Sequence, residues 1–268
     1  MMFRQHEMMR WAAAILFSIS CMGGQESLAQ DIAVDLELAL AIDGSRSIDA
    51  DEFTLQLGGI AAAFRDRAFF TALHSAAPRG IAVTLVQWAG HENQAQVVAW
   101  RHVDDARSAA AFADEVLAAG RRLIPGPTGI GSAIRYSYRL MDANGFAGDR
   151  RVIDVSGDGY NNSGNRPEIA RDEALARGVT INGLTVTNEI PGLDLYFSTR
   201  VIGGPGAFVV EALDFERFAD AFKLKLIREV TGDQVTLNAP ADLPNPPYFS
   251  AASHASTRAR LTPKSPRP

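Results

Sequence analysis

The segment Val34–Ile42 most strongly limits the fold that this chain can adopt. Nearly all of its residues are apolar, and a carboxylate, Asp43, follows directly. A nearly continuous apolar run of this length is typical of a strand that is buried on both faces of a parallel sheet. Because such a strand needs helices on both sides, the chain is predicted to be an α/β protein.

Strand and helix patterns alternate along the rest of the chain. Further strands are predicted at Ile81–Trp88, Gln96–Trp100, Arg151–Val155, Val179–Val186 and Ala207–Val210. Helices are predicted at Ala50–Arg67, Asp105–Ala119, Gly131–Met141, Pro167–Arg177 and Phe215–Val230. The first helix should begin at a capping box that joins Asp49 and Glu52, and the second and third strands should pair as a hairpin. We therefore predict a mostly parallel central sheet with helices on both faces and one short antiparallel edge strand.

The two ends of the chain differ from this pattern. Arg4 and Arg10 precede an apolar run at 11–19, and small residues lead to Ala29, which is typical of a secretory signal peptide cleaved after that residue. The apolar run is too short for a transmembrane helix, and a buried N-terminal helix is the alternative. The predicted domains are a signal peptide at 1–29, a folded domain at 30–237, and a disordered tail rich in proline at 238–268.

Cysteine content and net charge exclude several classes of function. Cys21 is the only cysteine and lies in the predicted signal peptide, so the exported chain would contain neither a disulfide nor a thiolate metal site. The formal net charge of −5 gives no electrostatic basis for binding nucleic acid or an anionic membrane. We expect an exported protein, periplasmic or secreted, and acylation of Cys21 is the alternative.

Three polar segments that are far apart in the sequence carry oxygen donors. Asp43, Ser45 and Ser47 follow the first strand, Thr128 lies in a loop rich in glycine and proline, and Asp158 follows the strand that ends near Val155. Ligands of open parallel sheets bind outside the carboxyl ends of the strands, where these segments should meet. Each segment alone is also typical of a helix cap or a turn. Together, their hydroxyl and carboxylate oxygens predict a site for a divalent cation.

The order Asp-x-Ser-x-Ser, then Thr, then Asp resembles a von Willebrand factor A domain that carries a metal-ion-dependent adhesion site, over about residues 35–230. The stretch 154–162 resembles a group of uncharacterised exported bacterial proteins within that family. The resemblance implies that Ser45, Ser47 and Thr128 bind the cation through their hydroxyls. It implies that Asp43 and Asp158 act directly or through water. Mg2+ is the expected cation, and Mn2+ or Ca2+ is the alternative.

Two positions depart from the family pattern. Gly157 stands where many members have Thr or Ser, and Ile130 stands where a second Thr often occurs. Neither change removes a predicted ligand, but both affect the hydrogen bonds that orient the ligands. Asn161 or Asn162 could supply such hydrogen bonds, and a role in an ordinary turn is the favoured alternative.

The resemblance implies a protein-binding function rather than an enzyme. A Glu or Asp carboxylate of an unidentified partner protein would complete the coordination of the cation, and Arg46 could pair with further acidic groups. Binding can shift the last helix in relatives. A scaffolding module, in which the cation only joins loops, is one alternative, and a metal-dependent hydrolase is another.

The chemistry that a hydrolase needs is mostly missing from the sequence. The Gly126–Ser132 loop has no lysine before its serine, and no Gly-x-Ser-x-Gly elbow is present. The histidines after the predicted signal peptide are scattered; they are His74, His91, His102 and His254. His91, in the polar turn between two strands, is the one candidate for a base.

Overall fold

The computed structural model describes residues 30–232 and 249–250. Several predicted features lie outside the described residues. They are the signal peptide with Cys21 and all of the tail except Phe249–Ser250, including His254. None of the described helices is long and apolar enough to cross a membrane.

The described strands form one sheet of mostly parallel pairs. In chain order they are β1 Ile32–Asp43, β2 Ile81–Trp88, β3 Gln94–Val103, β4 Phe146–Gly157, β5 Val179–Val186, β6 Val209–Ala212 and the two-residue β7 Phe249–Ser250. Their order across the sheet is β3-β2-β1-β4-β5-β6-β7. Only the outermost pairs, β2 with β3 and β6 with β7, are antiparallel. The predicted mostly parallel α/β architecture is confirmed.

The antiparallel edge strand, β3, is longer than predicted. Its pairing with β2 continues past Trp100 until Val103 lies opposite Ile81. The predicted hairpin is therefore correct, but the edge strand has 10 residues and is not short.

Helices cover both faces of this sheet. They are α1 Ala50–Phe64, α2 Arg67–Ala76, α3 Ala106–Ala119, α4 Ile130–Leu140, α5 Pro167–Leu175, α6 Leu193–Tyr196 and α7 Phe218–Thr231. A π-helical turn, Phe197–Val201, follows α6. On β1, Leu38 and Leu40 belong to the core that contains α1, α3 and α7, while Ala39 and Ala41 belong to the core that contains α4 and α5. This alternation along a fully buried strand explains the continuous apolar run.

The structure divides one predicted helix into two, and the ends of the other predicted helices differ from the observed ones by at most three residues. The predicted helix Ala50–Arg67 begins at the expected capping box but ends at Phe64, because the Asp66 side chain accepts a hydrogen bond from the Ala68 N–H at 2.7 Å and starts α2. The sequence patterns did not predict α2, α6 or the π-helical turn. Both α6 and the π-helical turn lie between β5 and β6, close to the predicted cation site.

Candidate metal-binding site

The predicted ligand residues meet at the carboxyl end of the sheet. Asp43 is the last residue of β1, and Asp158 follows β4, which is the parallel neighbour of β1. The Ser47 hydroxyl donates to Asp158 Oδ1 at 2.8 Å, and the Ser45 and Ser47 Oγ atoms are 3.1 Å apart. The Thr128 hydroxyl lies 3.8 Å from the position that a Cβ on Gly159 would occupy. The structure therefore brings all three segments together.

Asp43 is the most strongly perturbed acid at this site. Its side chain is fully buried, and Oδ1 accepts a hydrogen bond from the Ser45 N–H at 2.7 Å. Its other oxygen, Oδ2, is buried and accepts no hydrogen bond from any described residue. Burial, followed by the nearby charge of Asp158, raises the pKa of Asp43 to about 8. A buried carboxylate oxygen without a donor fits a position that a cation would share.

Asp158 is also buried, and burial is the main reason that its pKa is raised; the hydrogen bond from Ser47 opposes this shift. The ion pairs among the described residues involve neither Asp158 nor Asp43. The serine hydroxyls between the two carboxylates are neutral, and Ser47 is exposed, so the site opens to solvent at this residue. Two carboxylates and three hydroxyls form a donor set of hard oxygens, which suits Mg2+ or Mn2+.

Packing around position 157 explains why a glycine occupies it. A Cβ on Gly157 would stand 3.1 Å from Asp43 Oδ2, 3.5 Å from Trp88 Cζ2 and 3.6 Å from Phe197 Cζ. A Ser or Thr would crowd the Asp43 carboxylate, which would have to shift by a few tenths of an ångström, whereas the added Cβ would only make ordinary contact with the two aromatic rings. Phe197 belongs to the π-helical turn, which sequence patterns did not predict, so the ring in this space was not expected.

Asn161 and Asn162 join the Asp158 segment to the Thr128 segment. Asn162 Oδ1 accepts from the Thr128 N–H at 2.8 Å, and the Asn162 N–H donates to the Thr128 carbonyl at 2.9 Å. Asn161 Oδ1 accepts from the Gly131 N–H at 3.3 Å. Both asparagines therefore hold the backbone around Thr128 through hydrogen bonds.

Arg121 supports the site, although the sequence did not single it out. Its guanidinium donates to the carbonyls of Gly44, Ser45 and Asp49 at 3.3 Å each and to that of Ile48 at 2.8 Å. The same group lies 4.7 Å above the centre of the Phe53 ring. A single side chain thus holds most of the loop 44–49, which carries Ser45 and Ser47. No local pattern marks such a residue, because its role depends on contacts across more than 70 residues.

The described histidines give no support for a catalytic base. His91 is exposed, and its imidazole lies 3.5 Å from Glu92. His102 Nε2 hydrogen-bonds to the Arg79 carbonyl near the opposite end of β2. Among residues 30–232, no cluster of three or more His, Cys, Asp or Glu side chains could hold a metal ion.

Solved structures define the class of this fold. The first, at a TM-score of 0.57 and 14% identity, is proximal thread matrix protein 1 from the mussel byssus; the match covers 76% of this chain and 50% of that one. A second form of the mussel protein, with a zinc-occupied metal-ion-dependent adhesion motif, matches at 0.52 and 15% identity, with the same 76% and 50% coverage. A von Willebrand factor type A protein from Catenulispora acidiphila matches at 0.51 and 16% identity, covering 73% of this chain and 43% of that one. The protein therefore has a von Willebrand factor A-type fold, and the match spans about half of the mussel chain.

The sequence itself identifies the family. Residues 33–234 match the family described as "Protein of unknown function (DUF1194)", and the chain belongs to this family. No curated protein matches the sequence.

Proposed function

We propose that this protein is an exported, metal-dependent binding domain that engages an acidic group of a partner protein through a divalent cation. The observation that carries this proposal is the Oδ2 atom of Asp43, which is buried close to Asp158 and forms no hydrogen bond of ordinary geometry with any described residue. Leaving a buried anionic oxygen unpaired is costly unless a cation compensates it.

Each predicted ligand has a role that follows from its chemistry. Ser45, Ser47 and Thr128 would contact the cation through neutral hydroxyls, and Asp43 and Asp158 would supply the negative charge. Mg2+ prefers octahedral coordination, so a bound ion with one open position attracts an external carboxylate. The exposure of Ser47 leaves a path for that carboxylate from solvent.

Two further observations support a binding role outside the cytoplasm. The predicted signal peptide supports export to the periplasm or the medium. The mussel matrix protein has a zinc-occupied adhesion motif, and a further neighbour of similar fold is the PilB minor pilin from Streptococcus sanguinis, at a TM-score of 0.53 and 14% identity, covering 77% of this chain and 64% of that one. These neighbours favour binding over catalysis.

Calorimetric titration of Mg2+ and Mn2+ into metal-stripped protein that starts at Gln30 tests the site. We expect saturable binding that is lost in Asp43→Asn and Thr128→Val, because each change removes one oxygen donor without adding bulk. Asp51→Asn and Thr71→Val are matched controls at exposed helical positions and should bind as the wild type does. Wild-type protein that is folded but does not bind either ion would contradict the proposal.

Water relaxation with bound Mn2+ separates adhesion from scaffolding. An open coordination position exchanges water with the solvent and enhances proton relaxation, and added acetate should reduce this enhancement by occupying the position. A closed sphere, as in a scaffolding module, would give little enhancement and no response to acetate. Metal-dependent turnover of a phosphoester substrate would instead support the hydrolase.

A further inference from the structure

Two guanidinium groups beside the predicted site have no partner among the described residues. In the sequence, Arg46 stands between the predicted ligands Ser45 and Ser47, and its backbone N–H donates to the Gly126 carbonyl at 2.8 Å. Arg122 lies in the loop 121–127, and its backbone N–H donates to Gln87 Oε1 at 2.8 Å. Both side chains are exposed, and neither forms a hydrogen bond or ion pair within the described ranges. Their positive charge is available to an incoming molecule.

The same loop displays an apolar side chain on a fixed backbone. Ile124 is 82% exposed, the highest value among the large apolar side chains of the described residues. Its carbonyl accepts from Asn93 Nδ2 at 2.8 Å, and Arg121 ties the start of the loop to the segment 44–49. Because the backbone is already ordered, burying Ile124 against a partner would cost little conformational entropy.

Tyr160 is an exposed aromatic residue in the segment that follows the predicted ligand Asp158. It follows Asp158 by two residues, and its side chain is 46% exposed. Its ring packs edge-on against Tyr196 at a centroid distance of 4.8 Å, and the Tyr196 hydroxyl oxygen accepts from the Asn161 N–H at 3.3 Å. A tyrosine held in this way offers contact area with little loss of freedom, which is typical of residues that dominate binding.

We propose that Arg46, Arg122, Ile124 and Tyr160 form a partner surface around the cation site, and that it recognises a protein segment with an apolar side chain next to the coordinating carboxylate and a second acidic residue nearby. This inference rests on the proposed function. Charge complementarity selects the acidic segment, since the two free arginines lie on the joined loops 44–49 and 121–127.

Selection of random displayed peptides on the Mg2+-loaded protein tests the inference without a known partner. We expect sequences that combine Asp or Glu with an adjacent aliphatic or aromatic residue, and we expect EDTA to release them. Synthetic versions of the selected peptides should bind the Ile124→Ser and Tyr160→Ala proteins with about 10-fold lower affinity than they bind wild type. A central contact residue typically gives a loss of this size. Ile32→Ser is the matched control, because Ile32 is 50% exposed at the start of β1, at the opposite end of the sheet.

Calorimetry of Mg2+ on the same proteins separates the two proposals. Failure of the wild type to bind any of Mg2+, Mn2+ or Ca2+ would overturn the proposed function, and the inference with it. Normal Mg2+ binding with no enriched peptides, with acidic peptides that lack an apolar preference, or with undiminished binding to Ile124→Ser and Tyr160→Ala would overturn the inference alone.

Discussion

Two pairs of buried carboxylates lie at and near the end of β4, and they differ in how their charge is compensated. In the first pair, Asp154 on β4 and Glu229 on α7 flank Lys225, which is fully buried. The Lys225 ammonium lies 2.8 Å from Asp154 Oδ1 and 2.7 Å from Glu229 Oε1. Asn182 Nδ2 donates to both Glu229 oxygens at 2.9 Å. This cluster supplies its own cation and joins the last helix to the sheet.

The second pair, Asp43 and Asp158, receives hydrogen bonds only from hydroxyl and amide groups among the described residues. Three residues along the chain separate Asp154 from Asp158, so the same segment carries one acid of each pair. A buried charge is costly without a counter-ion, and the protein provides one where the acids join two elements of the fold. Where it provides none, the negative charge remains available for an external cation.

Removing the internal cation should have the largest effect. In Lys225→Met two buried acids lose their counter-ion, and breaking a buried ion pair in this way costs about 3–5 kcal/mol of unfolding free energy. Urea unfolding at neutral pH measures the loss. Lys223→Met changes a partly exposed lysine on the same helix and should stay within about 0.5 kcal/mol. A small loss for Lys225→Met would mean that the cluster does not anchor α7.

The same cluster should make stability depend on pH. Burial raises the pKa of Asp154 from 3.8 to about 6, a shift that Lys225 opposes and Glu229 reinforces. Because the folded-state pKa of Asp154 lies above the unfolded value, the contribution of its protonated form to stability is complete below about pH 4. This contribution is lost as pH rises through about 6. Between about pH 4 and pH 7, urea unfolding should show that the unfolding free energy of wild type falls by about 2–3 kcal/mol more than that of Asp154→Asn.

The matched control for this series is Asp220→Asn, which changes an exposed carboxylate of α7 and should follow the wild-type curve. Parallel curves for wild type and Asp154→Asn would show that Asp154 does not titrate in this range.

Much of the fold could be predicted from local patterns in the sequence. The apolar run of β1 and the capping box of α1 act through short-range sterics and hydrogen bonds, so sequence alone predicts them. The break between α1 and α2 depends on Asp66 acting as a cap within an apparently continuous helical pattern. The segment 193–201 follows Pro191 and Gly192, which are typical of a loop, and its helical turns are fixed by Phe197 packing against Gly157 and Gly183.

The position of the candidate site could be predicted from the sequence, but the contacts that support its loops could not. Strand ends determine where Asp43 and Asp158 lie, so their meeting at one edge of the sheet follows from topology. The contacts of Arg121 and Phe197 depend on how distant loops pack, and no spacing rule encodes that packing. The assignment of each oxygen as a metal ligand stays a prediction.

Neutralising one acid of the second pair should have the opposite sign to neutralising Lys225. In metal-free protein the pKa of Asp43 is about 8, so folding at neutral pH requires this carboxyl to take up a proton. Asp43→Asn removes that cost, while the amide oxygen can still accept from the Ser45 N–H. We expect the unfolding free energy at neutral pH to rise by about 2 kcal/mol, and saturating Mg2+ to stabilise wild type but not this variant. Destabilisation of metal-free Asp43→Asn would show that the two carboxylate pairs are alike.

The smallest effect should come from Arg121, whose guanidinium holds the loop 44–49. Two variants separate its positioning of the loop from its positive charge. Arg121→Lys keeps a positive charge but cannot reach four carbonyls with one planar group, whereas Arg121→Met removes the charge as well. If Arg121 acts by positioning Ser45 and Ser47, both variants should bind Mg2+ about 10-fold more weakly, as is typical when a residue that orients metal ligands is lost. Calorimetry measures the affinity, and Arg122→Met is the neighbouring control. Normal affinity in Arg121→Lys with weak binding in Arg121→Met would instead assign the effect of Arg121 to its charge.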